Sequence, residues 1–167
     1  MRNRPASPSP SRANARGFTL VELLTVVSIL VIILGIAAPS MSEFLAAQQA
    51  KGMSYDLTGD LMLARNEALK RNASVTISPA VAGWAQGWSV VSVSGGVPES
   101  LSTRNPAAQS VTITCAPATI TFDFNGRVSS PAATTVRITI SSQSSSRCVQ
   151  LDPSGRARAV HGACACA

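Results

Sequence analysis

Residues 16–39 read RGFTLVELLTVVSILVIILGIAAP, and the architecture turns on how that run is taken. From Phe18 to Pro39 it carries one charge, Glu22. It is long enough to cross a bilayer, which takes about 20 predominantly apolar residues in a helix. A cleaved secretory signal has a shorter apolar core, closed by a small-residue cleavage site. Here the polar part ends in Arg16-Gly17, directly before the apolar run, and the run leads into more helical sequence. An acid inside a span costs about 2.5–3.5 kcal/mol on insertion scales, which makes Glu22 a functional candidate. Upstream, residues 1–17 (MRNRPASPSPSRANARG) are rich in Pro, Ser and Arg and aperiodic, and read as a leader.

The 167 residues suit one modest domain beyond this run. With 46% hydrophobic and 13% charged residues the chain is not of the solvated, disordered class. At 4% aromatics, its core must come from Val, Ile, Leu and Ala. The net charge of +6 is mostly leader: Arg2, Arg4, Arg12 and Arg16 precede Phe18, and 10 of the 14 basic residues then face 8 acids. A local asymmetry survives, because Arg127, Arg137, Arg147, Arg156 and Arg158 are accompanied only by Asp152.

Leu57, Leu61, Ala64 and Ala68 recur at spacings of four, three and four, one face of a helix. Leu20 to Arg71 therefore reads as one helix of about 50 residues, about 75 Å at 1.5 Å per residue. Gly35, Pro39, Gly52 and Gly59 weaken its ladder locally. After Asn72 the period becomes two: 73–78, 88–94, 110–114, 119–124, 134–140, 147–151 and 156–160 are β-branched runs. Asn125-Gly126 and Asp152-Pro153-Ser154-Gly155 are turns between them. Gly95–Gln109 and Ser141–Ser146 read as loops. The expected fold is α+β, a long N-terminal helix on a small, mainly antiparallel sheet. Its segments are 1–17 leader, 18–39 membrane helix, 40–72 amphipathic helix and 73–167 β-rich domain.

R-G-F-T-L-V-E-L-L, with Glu22 five residues after Gly17, resembles the processing site of type IV pilins and type II secretion pseudopilins. LARNEALKRNASVTIS, GWAQGWSVV, ITFDFNGRV and CVQLDPSGRARA, in that order, resemble the GspH/FimT subfamily of minor pilins and pseudopilins. The resemblance implies that a prepilin peptidase/methyltransferase cuts between Gly17 and Phe18 and N-methylates Phe18. It implies a single-pass protein of the bacterial inner membrane, its globular part in the periplasm, assembled with other pilin or pseudopilin subunits into a filament. Glu22 would pair with a neighbour's terminal amine, which agrees with the need of a buried carboxylate for a cation.

A periplasmic domain lies in an oxidising compartment, so Cys115, Cys148, Cys164 and Cys166 are expected in disulfides. Four cysteines allow three pairings, and spacing does not choose. The resemblance implies Cys148–Cys164, across the DPSG turn, with Cys115 then bonded to Cys166 or free. His161, Cys164 and Cys166 are three metal-ligand types, but the C-x-C spacing departs from the usual gap, and no metal or cofactor is expected. No phosphate-binding loop or nucleophile elbow appears, so no enzyme is expected. Trp84 and Trp88, either side of a glycine-containing loop, have packing on the sheet as their first reading and stacking on a base as the other.

In a strand, Arg156 and Arg158 point to one face about 6.6 Å apart, and fork-shaped guanidiniums suit phosphate oxygens. Arg147 would join them if the hairpin register allows. G-R-A-R here is similar to the DNA-contacting hairpin of FimT-like minor pilins, which implies non-specific binding of double-stranded DNA during natural transformation. A plain solvated strand is the alternative at the level of residues. At the level of function it is a type II secretion pseudopilin of the H class.

Overall fold

The computed structural model describes residues 17–94, 96–105, 107, 110–132 and 135–166. The expected leader, 1–17, thus lies outside the described residues except for Gly17. The chain divides after Pro39 into two compact units, and helix α1 is assigned over Leu20–Arg71.

In the first unit α1 starts at a capping box. Thr19 Oγ1 accepts from the Glu22 backbone N–H at 3.2 Å, and Glu22 Oε2 accepts from the Thr19 N–H at 3.4 Å. Large apolar side chains then lie exposed all round the helix, among them Val21, Leu24, Val27, Leu30, Val31 and Leu34. A helix apolar on every side has its place in a membrane or inside an assembly. Taken as separate stretches, neither Leu20–Gly35 nor Ser40–Arg71 is long and apolar enough to cross a membrane; the two together qualify by length and composition.

The second unit is built on the apolar stripe of Ser40–Arg71. Ala50, Leu57, Leu61, Ala64 and Ala68 are buried in one core with residues of two antiparallel sheets. The first sheet contains β1 (Val75–Ala80), β2 (Gly83–Ser94), β3 (Val97–Arg104), β5 (Ile120–Phe122) and β6 (Val128–Ser130), in the order β3-β2-β1-β5-β6. The second contains β4 (Thr112–Thr114), β7 (Val136–Ser141), β8 (Ser146–Leu151) and β9 (Ala157–His161), in the order β4-β7-β8-β9. Register explains the core. Val75, Ile77, Val90, Ile120 and Phe122 share one face through the β1–β2 and β1–β5 pairs. Val136, Ile138, Ile140, Val149 and Leu151 share another through β7–β8.

Four sequence readings change. One small sheet becomes two, and β6 was not foreseen. The segment 95–109, read as a loop, contains β3, paired with β2 from Val97 opposite Ser94 to Arg104 opposite Trp88. The stretch between the tryptophans is strand as well. Gly87 there has φ +100, and a Cβ on it would come within 2.2 Å of the Arg104 carbonyl oxygen, so only glycine admits the close approach of β3. Both tryptophans are buried packing residues: Trp84 Nε1 donates to the Pro117 carbonyl at 2.7 Å, and the two rings lie 6.3 Å apart.

Charged groups bind β3 to the helix. The Asp60 side chain, 4% exposed, accepts from Trp88 Nε1 at 2.9 Å and from Arg104 Nε at 2.8 Å. Ser102 Oγ adds a third donor at 3.3 Å. At the helix end Arg71 pairs with Glu67 and Glu99. Those hydrogen bonds from Arg71 hold both carboxyls below the ordinary carboxylate value. Their contribution to stability is therefore present at neutral pH and is lost as the pH falls through those lowered values. We expect Asp60→Ala to cost about 1–3 kcal/mol, the penalty for orphaning the buried Trp88 N–H. The cost stays below that of a fully buried ion pair because Arg104, 41% exposed, can turn to water. Denaturant unfolding of the detergent-solubilised protein, followed by tryptophan fluorescence, measures it; Asp60→Asn, which keeps an acceptor, should lose less.

Candidate functional site

The β8–β9 hairpin alternates strictly. Gln150 pairs with Arg158 and Cys148 with Val160, which puts these four on the outer face of the second sheet. Leu151–Ala157 and Val149–Ala159 are the pairs between them and face the core. Arg156 extends the ladder by one step, its carbonyl accepting the Asp152 N–H at 3.0 Å. Arg156 and Arg158 are both exposed and, with Asp152 and Ala157, line a small cavity of about 160 Å³. Arg158 is held in place, its Nε and Nη2 donating to Gln150 Oε1 at 3.0 and 2.8 Å. Gln150 is neutral, so this orients the guanidinium without cancelling its charge.

The same register moves Arg147 away. It pairs with Ile140 and His161 and has the parity of Val149 and Leu151, on the face opposite Arg158. Its Nε is buried without a hydrogen-bond partner. The hairpin register thus does not bring Arg147 to Arg156 and Arg158.

The turn of this hairpin is fixed to the rest of the domain at one point. The Pro153 carbonyl accepts from the Val128 N–H at 3.1 Å, and Arg65 Nε donates to the Gly126 carbonyl at 3.1 Å. Gly155 lies against that same carbonyl: a Cβ on it would come within 2.1 Å of the Gly126 oxygen, and its φ is +81. The glycine of G-R-A-R is thus required by packing, while the arginines it precedes are left free to face outward.

Beyond His161 the chain crosses the outer face. The Cys164 N–H donates to Thr139 Oγ1 at 3.0 Å, and Thr139 and Cys148 are buried. Two disulfides hold this strap, Cys148–Cys164 and Cys115–Cys166. Both cysteines that could have joined His161 at a metal are bonded in this way. At the other end of the chain, Gly17, Phe18 and Glu22 are exposed, and Thr19, unnoticed in the sequence, is the hydrogen-bond partner of Glu22.

The family described as type II transport protein GspH matches residues 55–155, from the amphipathic helix to Gly155 of the hairpin turn. The chain belongs to the GspH family. A second match, to the prokaryotic N-terminal methylation motif, covers residues 12–38 of this GspH-family protein. Among solved structures it is similar to the type IV minor pilin FimU of Pseudomonas aeruginosa in two crystal forms. One gives 20% identity over 66% of this chain and 91% of that one, with a TM-score of 0.54. The other gives 23% over 71% and 90%, with a TM-score of 0.55. The minor pseudopilin EpsH of the Vibrio cholerae type 2 secretion system is similar at 13% identity, over 68% of this chain and 97% of that one, with a TM-score of 0.52. No curated protein matches by sequence. At these identities the likenesses establish the fold, a helix packed on antiparallel sheets as in type IV pilin-like proteins.

We expect Gly155→Ala to destabilise the GspH-family domain by at least about 1–2 kcal/mol, the cost of a left-handed conformation for a residue with a Cβ. The clash with the Gly126 carbonyl adds to it. A lowered thermal midpoint measures the effect, and Ser154→Ala, on the exposed side of the same turn, should leave the midpoint within error.

Proposed function

We propose that this protein is a minor pilin or pseudopilin, made with a leader that is cut between Gly17 and Phe18, anchored in the inner membrane by its N-terminal helix and then assembled with like subunits into a filament. The observation that carries this is the first unit: an unpartnered helix, apolar on every side, opening with G-F-T-L-V-E and matching the methylation motif. Such a surface has to be covered by lipid before assembly and by other subunits after it. Glu22 is the one charge on it, and its carboxylate is committed to the Thr19 cap in the single chain. In the filament the terminal amine of a neighbouring subunit would be its partner. The experiment is mass spectrometry of subunits from membranes and from sheared filaments, for wild type and Glu22→Ala. Mature protein should begin at N-methylated Phe18. The variant should reach the membrane, being more apolar in its span, but be depleted from filaments. An intact 1–17 segment in filament material would overturn the reading, and normal incorporation of the variant would leave Glu22 a helix cap only.

A second layer concerns the ligand of the filament. Arg156 and Arg158, exposed on one face beside a turn whose Gly155 packs against the Gly126 carbonyl, favour a DNA-binding minor pilin of a type IV pilus over the H-class pseudopilin of a secretion system. Binding would be to phosphates and without sequence preference, since among the described residues no recognition helix stands beside the hairpin. In anisotropy titrations of the detergent-solubilised chain with labelled duplex, log affinity should fall by about two units per tenfold rise in salt for the two arginines of the hairpin. Arg156→Gln/Arg158→Gln should lose binding with an unchanged thermal midpoint, since surface substitutions of this kind usually stay within about 0.5 kcal/mol. Equal affinity of wild type and double variant would hand the lead to protein secretion.

A further inference from the structure

The outer face of the second sheet holds a cation that the hairpin alone does not reveal. Arg137 on β7 is paired with Gln150 on β8, and Gln150 with Arg158 on β9. Residues directly opposite in an antiparallel ladder point to the same side, so Arg137, Gln150 and Arg158 form one row across three strands. The two arginines stand two strand spacings apart, about 10 Å. Arg156 lies on the same face, two residues from Arg158. Arg137 is exposed, and among the described residues none of the three arginines is in a salt bridge. The carboxylate near them is Asp152, at the Arg156 end. Beside Arg137 the surface opens into a cleft of about 370 Å³, which Thr135, Pro131 and the Cys115–Cys166 bridge also line. The strap covers Thr139 and Cys148, and its Cys166 lines the cleft beside Arg137.

We propose that Arg137 is the third phosphate-binding residue of this protein, and that the polyanion site is a triangle of Arg137, Arg156 and Arg158 spanning β7 to β9, with Gln150 as its neutral spacer. The proposal rests on the DNA reading given above and extends it from one hairpin to a sheet face. Arg147 has no part in the site, because register turns it to the other side of the sheet. Gln150 is a positioning residue: it carries no charge, and it fixes the Arg158 fork between the other two guanidiniums.

The test is the salt dependence of duplex DNA binding by the full chain in detergent, for wild type, Arg137→Gln, Arg137→Lys, Arg147→Gln and Gln150→Glu. Each phosphate contact contributes a slope near 0.9 in log affinity against log salt. Arg137→Gln should therefore lower the slope by about one and weaken binding about eightfold at 0.1 M salt, with Arg137→Lys restoring most of both. Arg147→Gln should keep the wild-type slope. Gln150→Glu, which sets a carboxylate between Arg137 and Arg158, should weaken binding at least as much as Arg137→Gln. Circular dichroism and thermal midpoints confine the comparison to folded variants. A wild-type slope in Arg137→Gln, while Arg156→Gln/Arg158→Gln loses binding, would overturn the triangle and leave the hairpin reading standing. Absence of binding by wild type, or wild-type binding by the double variant, would remove the DNA reading and this inference with it.

Discussion

Every element of the second unit is fitted to one narrow strip of helix. Ala50, Leu57, Leu61, Ala64 and Ala68 are fully buried, and three of the five are alanine. A strip this thin lets backbone approach backbone, so two short sheets close over the helix with branched aliphatic side chains and few aromatics. The constraint fixes register as well. A strand slipped by one residue turns its aliphatic row outward, and for β8 that would exchange Val149 and Leu151 for Cys148 and Gln150. The same fact that keeps the core dry therefore decides which arginines reach solvent.

The helix and most strands were legible because each carries its own period. The stripe 57–61–64–68 and the alternation of TTVRITI and RARAV need no partner to be recognised. β3 was not legible. Its sequence, VPESLSTR, has no apolar alternation, contains a proline and is largely exposed, as suits an edge strand. What holds it is non-local: the backbone of β2, the glycine at 87, and the Asp60 carboxylate reaching Arg104 from the helix. Such partners are not visible in a window of eight residues.

The arginine face was half legible for a related reason. That Arg156 and Arg158 share a side follows from spacing within one strand. That Arg147 lies on the far side and Arg137 on the near one depends on which residues face each other across two turns. The C-terminal bridges belong to the same class of information. Compartment implies that the cysteines are oxidised, but pairing depends on where the strap crosses the sheet.

The bond between Cys115 and Cys166 closes a covalent ring 51 positions long in sequence separation, with the Cys148–Cys164 bridge nested inside it. β5 to β9 all lie within the ring, whereas β1 to β4 lie between it and the helix. Tension applied between the helix and the chain end would pass from β4 directly across the bridge. The enclosed strands are thereby shielded from extension, and only β1 to β4 can pay out length. Under such a load β1 to β4 would give, while the last hairpin, inside the ring, would stay intact.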